Sequence, residues 1–136
     1  MATIADIRSG IQVRLATITS LRAKATPTDT MVPPCAIVRY VGPVDGPYAT
    51  LGGDSYDEFE ITVVVPKLSI ERAEDALDAY RARSGASSIQ VAIEGDETLA
   101  AAVDFAQFMG WDGGTGMEDL NGTEYPAARC RVQVWH

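Results

Sequence analysis

From residue 58 the chain alternates: Phe59, Ile61, Val63 and Val65 fall on one side of an extended segment, and Glu58, Glu60, Thr62 and Val64 fall on the other. A period of two with one apolar side predicts a strand whose inner face lies in a core. Pro66 ends the ladder, and from Ile70 the period becomes helical. Ile70, Ala73, Leu77 and Tyr80 share a narrow arc at about 100° per residue, which predicts an amphipathic helix to about Arg83. Glu71, Glu74 and Asp75 sit near its start and Arg81 and Arg83 near its end, matching the helix dipole; Ser84-Gly85 closes it.

The same reading applied elsewhere yields the remaining elements. Thr3-Ile4-Ala5-Asp6 has the form of a capped helix start, and Ile4, Ile7, Ile11, Leu15 and Ile18 make an apolar stripe along roughly four turns, with Val13 on the opposite side. Leu21 to Ala25 is a short candidate strand. Pro33-Pro34 precedes Cys35–Val41, a strand rich in β-formers and placed centrally. Ser87-Ser88 offers a cap to a short helix over Ile89–Ile93, and Asp96 caps a further turn through Leu99 and Ala102. Val103, Phe105, Gln107, Met109 and Trp111 then alternate as a strand. Asp112 to Gly122 reads as a glycine-rich turn ending in the hairpin signal Asn121-Gly122. In the last strand, Tyr125 to Trp135, Cys130, Val132 and Val134 share one face; Arg129, Arg131, Gln133 and Trp135 share the other, where the arginines are expected beside Glu58 and Glu60.

Together these elements predict an α+β fold: a mixed, mostly antiparallel sheet with two main helices packed on one face. The core is expected at Ile7, Ile11, Leu15, Ile18, Leu77 and Tyr80 against Phe59, Ile61, Val63 and Val132. Gly42 to Ser55 is left as a long loop or β-arm, in which Tyr48 to Leu51 is a possible strand. At 136 residues the chain is expected to be one domain over 1–136, large enough to bury a core without staples.

Composition narrows the function. Lys and Arg number 11 against 19 Asp and Glu, a net charge of −8, and such a chain on average repels the phosphates of a nucleic acid, so sequence-specific DNA binding is not expected. The longest apolar run is too short to span a bilayer, and the N-terminus has no signal-peptide pattern, which predicts a start in the cytoplasm and no membrane partner. Cys35 and Cys130 each lie in an apolar run and read as buried free thiols, adjacent only if their strands are neighbours.

No constellation points to catalysis or to a cofactor. His136 is the only histidine and the last residue, a poor place for fixed geometry. Asp54, Asp57, Glu58 and Glu60 supply oxygens for a hard cation, but not at the spacing of a known loop, and a solvated acidic face is the simpler account. Asp112-Gly113-Gly114-Thr115-Gly116 lacks the Lys-Ser/Thr of a phosphate cradle and runs into Glu118-Asp119; no Gly-x-Ser-x-Gly occurs. Asn121-Gly122-Thr123 matches a glycosylation sequon, but with no export signal it reads as a turn. Most aromatic residues read as strand fillers, with Trp135 on a polar face as a candidate interface anchor.

The order of elements, with Ile4-Ala5-Asp6-Ile7-Arg8-Ser9-Gly10 to Ile18, Pro33-Pro34-Cys35-Ala36-Ile37-Val38, Ala76-Leu77-Asp78-Ala79-Tyr80, and Ser88-Ile89-Gln90-Val91-Ala92-Ile93-Glu94-Gly95-Asp96, resembles the tail terminator or tail-completion proteins of long-tailed, lambda-like bacteriophages, particularly those of actinobacterial hosts. The resemblance implies a structural ring subunit, typically a hexamer, that caps the tail tube, ends tail polymerisation and joins the tail to the head. It implies partners in further copies of the chain, the tail tube protein and head–tail connector proteins, with genomic DNA passing through the lumen, and a place in the virion after assembly in the host cytoplasm. On that reading Tyr48, Leu51 and Trp135 are expected at subunit interfaces, and Glu58 and Glu60 on the pore wall, unless they simply pair with Arg129 and Arg131. Other neck ring proteins share the pattern. A small-molecule-binding or enzymatic α+β module is the alternative from a different class, and it requires a pocket with convergent polar groups.

Overall fold

Thr3 caps the first helix, α1 (Ile4–Leu15), as the motif predicts: its hydroxyl accepts from the Asp6 N–H at 3.1 Å, and its own N–H donates to the Asp6 carboxylate at 3.0 Å. Those bonds hold the Asp6 carboxyl below its usual range. Ile7, Ile11 and Leu15 are fully buried. The helix stops a turn earlier than the stripe predicts, because Thr17 and Ile18 donate to carbonyls three residues back, yet Ile18 still reaches the core. The computed structural model describes residues 3–19, 21–24, 32–44, 56–67, 69–99, 103, 105–120 and 122–135. Tyr48, Leu51, the proposed strand at 48–51, Asp54, Ala102 and His136 lie outside the described residues.

The remaining elements are β1 (Arg22–Lys24), β2 (Cys35–Val44), β3 (Tyr56–Val64), α2 (Ile70–Arg81), α3 (Ile89–Glu94), β4 (Phe105–Leu120) and β5 (Thr123–Trp135). The sheet has five strands in the order β1-β2-β3-β5-β4, with β1 parallel to β2 and every other pair antiparallel. The fold is therefore α+β with a mixed, mostly antiparallel sheet.

All the residues expected in the core lie in one buried cluster, which joins the three helices to Ala36 and Val38 of β2, Phe59, Ile61 and Val63 of β3, and Cys130, Val132 and Val134 of β5. These strand residues alternate, so they define a single inner face of the sheet. The helices are tied to one another by polar bonds as well. Arg14 Nε donates to the Ala92 carbonyl of α3 at 2.8 Å, and a Cβ at Gly95 would run into the Arg14 guanidinium. Ser88, almost fully buried, caps α3 by accepting from the Val91 N–H at 3.2 Å and donates to the Ala82 carbonyl at the end of α2.

The segment from Asp112 to Gly122 is not a turn. β4 continues through it to Leu120, and only the position around Gly122 (φ +84) turns the chain back into β5. The glycines make an irregular stretch of strand: Asp112 pairs with Arg129 but Gly116 with Ala127, with Gly113 at φ +59 between them. Pairing with β5 overrides the poor strand propensity of the run, and the extra residues bulge. A second irregularity between Phe108 and Gly110 (φ +116) resets the alternation, so Phe108 and Trp111 pack against the inner core; Trp111 does not share a face with Phe105 and Gln107 as simple alternation predicts.

Val64, placed among outward residues by its spacing, does point outward but is fully buried. Leu120, Tyr125 and Ala127 at the far end of the β4–β5 hairpin pack with Val64, Cys35 and Ile37 in a small second cluster on the outer side of the sheet.

Candidate functional site

Among the described residues no helix covers the outer face of the sheet, and this face carries Glu58, Glu60 and Trp135, three of the residues that the sequence nominates for function. Glu58, Glu60, Arg129, Arg131 and Trp135 all project there, since they alternate with the inward Phe59, Cys130 and Val134. The strand divides the nominated acidic cluster. Glu58 and Glu60 face outward, whereas Asp57 lies on the inner side and accepts from the Tyr40 hydroxyl at 2.9 Å. Among the described residues there is no group of three His, Cys, Asp or Glu able to hold a metal ion.

At the centre of this face four carboxylates and three guanidiniums interlock. Arg131 reaches Asp112 at 2.9 Å, Glu58 at 3.2 Å and Glu60 at 3.9 Å. Arg129 reaches Glu118 at 2.6 Å and Glu60 at 3.8 Å, and donates to the Met117 carbonyl at 3.1 Å. Arg39 completes the set by donating to Glu118 at 2.5 Å and to the hydroxyl of the buried Thr62 at 3.0 Å. The Asp112 hydrogen bond, with Glu58 beside it, raises the Arg131 pKa still further above its ordinary value. The cross-strand pairing of Glu58 and Glu60 with Arg129 and Arg131 is thus present, and Arg39 and Glu118 are members that the sequence did not reveal. Such a lattice holds its side chains in fixed positions and offers contact chemistry: planar donors, carboxylate acceptors and near-balanced charge.

Beyond the lattice, at the end of the sheet where β3, β4 and β5 align Tyr56, Phe105 and Trp135, the three rings cluster. Trp135 stacks on Tyr56 with centroids 5.0 Å apart and meets Phe105 at 5.5 Å. Phe105 remains 39% exposed, so the trio forms an aromatic rim to the charged face.

Compared with known proteins, the chain matches no family model and no curated sequence.

A second surface lies on the other side of β4 and was not foreseen. A cleft of about 410 Å³ is lined by Arg81 and Arg83 from the end of α2 and beyond, Gln90 of α3, and Phe108 to Trp111 of β4. Arg81 is held by Thr115 at 2.6 Å, Asp78 at 3.3 Å and Glu74 at 3.6 Å, whereas Arg83 makes no ion pair among the described residues. Phe108 and Trp111 meet at 6.1 Å, edge to face, and the buried Trp111 Nε1 has no acceptor among the described residues. The missed signal was the Phe108/Gly110 irregularity, which turns two aromatic rings towards the helices.

The two thiols are not adjacent. Cys35 faces the outer cluster on β2 and Cys130 the inner core on β5, with β3 between these strands; both are free and buried. Burial pushes the Cys35 thiol up to about 11 and the Cys130 thiol well above its ordinary value. Unfolded thiols ionise near 9.0, so the contribution of these protonated, buried groups is complete below that pH and is lost as pH rises above it, through about 11 for Cys35. The thermal midpoint is therefore expected to fall above pH 9, and to fall less in a Cys35→Ala, Cys130→Ala double variant. Equal slopes in a pH series of melting curves for the two proteins would contradict the burial of the thiols.

Proposed function

We propose that this chain is a structural ring subunit of a bacteriophage head–tail junction, a tail terminator or a related neck ring protein. The supporting observation is the outer sheet face, with a rigid arginine–carboxylate lattice and an aromatic rim of Tyr56, Phe105 and Trp135 that no helix covers among the described residues. Arginines and large aromatic rings are the residue types enriched where protein surfaces meet, and a side chain already immobilised loses little entropy on binding. In this reading Trp135 anchors a contact between subunits, and Tyr48 and Leu51 add to it. Copies form a ring, with the tail tube protein below it and the head–tail connector proteins above, within the virion. Glu58 and Glu60 belong to the wall past which genomic DNA moves. Their pairing with arginine leaves the lattice close to neutral with a small acidic excess, and such a wall neither concentrates phosphates nor releases their counterions.

The purified chain, alone and mixed with tail tube protein, is expected to sediment as a ring-sized species and to give closed rings in electron micrographs. Native mass spectrometry then supplies the copy number. A chain that stays monomeric under both conditions would sink this reading. The cleft beside β4 favours the other class, a small-molecule-binding module, because it combines aromatic walls with a cation that has no ion pair among the described residues. A monomer that binds a small ligand saturably would support that class instead.

A further inference from the structure

Among the described residues β4 is an edge strand: it spans Phe105–Leu120 and pairs only with β5, whereas the opposite edge, β1, is three residues long. An edge strand turns every second N–H and C=O towards its open side, where another chain can add. The beginning of this edge is covered from within the molecule, for the Ala106 N–H donates to the Glu97 carbonyl at 2.7 Å. By the period of two, the backbone groups of Phe108 face the same way as those of Ala106. Among the described residues that cover does not continue to Phe108. The open groups adjoin the cleft described above, whose other wall is the end of α2 with Arg81 and Arg83.

We propose that this cleft receives an extended acidic segment of a partner protein, which adds a short strand along β4 at Phe108 and sets a carboxylate against Arg83. The occupant's chemistry follows from the walls. A strand edge selects an extended backbone, Phe108 and Trp111 provide apolar surface for alternate side chains, and the cation without an ion pair among the described residues selects an anion. Arg81 is already shared among Thr115, Asp78 and Glu74, and Gln90 donates to Glu94 at 3.1 Å, so Arg83 is the group left to meet the incoming charge. The proposal stands on the edge and the cleft and does not require a ring.

The test is selection of random nine-residue peptides displayed on yeast against the whole purified chain, followed by binding and hydrogen exchange with the peptides recovered. The expected result has three parts. Recovered peptides alternate apolar residues with Asp or Glu; Arg83→Glu weakens their binding at least tenfold and Arg83→Gln less, both with unchanged melting; and bound peptide slows exchange of the Phe108 amide. Recovery of no peptides, or of basic or uncharged ones, overturns the proposal. So does binding indifferent to Arg83→Glu, an unprotected Phe108 amide, or self-association that Arg83→Glu abolishes, which would make a second copy the occupant.

Discussion

Leu77→Ala is expected to destabilise the fold by about 2–5 kcal/mol, the range for removing a large buried aliphatic side chain, with the upper part reached where the neighbours cannot collapse into the space. Leu77 is fully buried on α2 in the cluster that joins the three helices to the inner sheet face. Its surroundings are held from several directions. The end of α2 is tied to α3 through Ser88 and the Ala82 carbonyl, and α3 is tied to α1 through Arg14. A helix fixed in this way cannot slide inward by much, so a cavity persists. For a chain of this length the loss corresponds to a drop in melting temperature of roughly 8–20 °C. Calorimetry on the variant checks it, and a midpoint within about 2 °C of the parent would mean that α2 is not packed as described.

That Leu77 could be chosen from spacing alone shows which parts of the structure the pattern carries. β3 and α2 announce themselves because each has one apolar side, and a period of two or of 3.6 places that side without reference to the rest of the chain. The hairpin's turn was signalled by Asn121-Gly122, but the continuation of β4 from Asp112 to Leu120 was hidden for the opposite reason. Gly113, Gly114 and Gly116 have weak strand preference, and what keeps them extended is the neighbouring β5, whose register is a tertiary fact. The face of Val64 was legible but its burial was not, since the hairpin end brings Leu120 and Tyr125 over the outer face.

The candidate surfaces divide in the same way. Pairing of Glu58 and Glu60 with Arg129 and Arg131 could be anticipated from two alternating strands whose polar sides carry opposite charge. Arg39 and Glu118 could not, as they are 79 positions apart and Glu118 lies in a stretch that reads as a turn. The cleft depends on a reset of alternation at Met109 that no local signal other than Gly110 marks.

Glu118→Ala is expected to cost about 1–2 kcal/mol and to loosen the far end of the hairpin before the rest of the sheet. Hydrogen bonds to charged groups are worth about 1.5–3 kcal/mol where water is excluded, and the lower figure here reflects solvent reaching the two arginines. Glu118 has a side chain only 12% exposed and is shared by Arg39 of β2 and Arg129 of β5, each about one third exposed. It thus ties the β4 end of the hairpin to a strand that is not its neighbour in the sheet, holding Leu120 and Tyr125 over Cys35, Ile37 and Val64. Removing it leaves Arg39 with Thr62, and Arg129 with Glu60 at 3.8 Å and the Met117 carbonyl. Hydrogen exchange is expected to quicken at Leu120 and Tyr125 while amides of β3 stay protected, and Cys35, under that cover, to become open to alkylation. Glu118→Gln keeps the shape but not the charge and should fall between the parent and Glu118→Ala. If instead both variants melt with the parent and Cys35 stays protected, the lattice is an ordinary set of surface ion pairs and the hairpin is held by its apolar contacts alone.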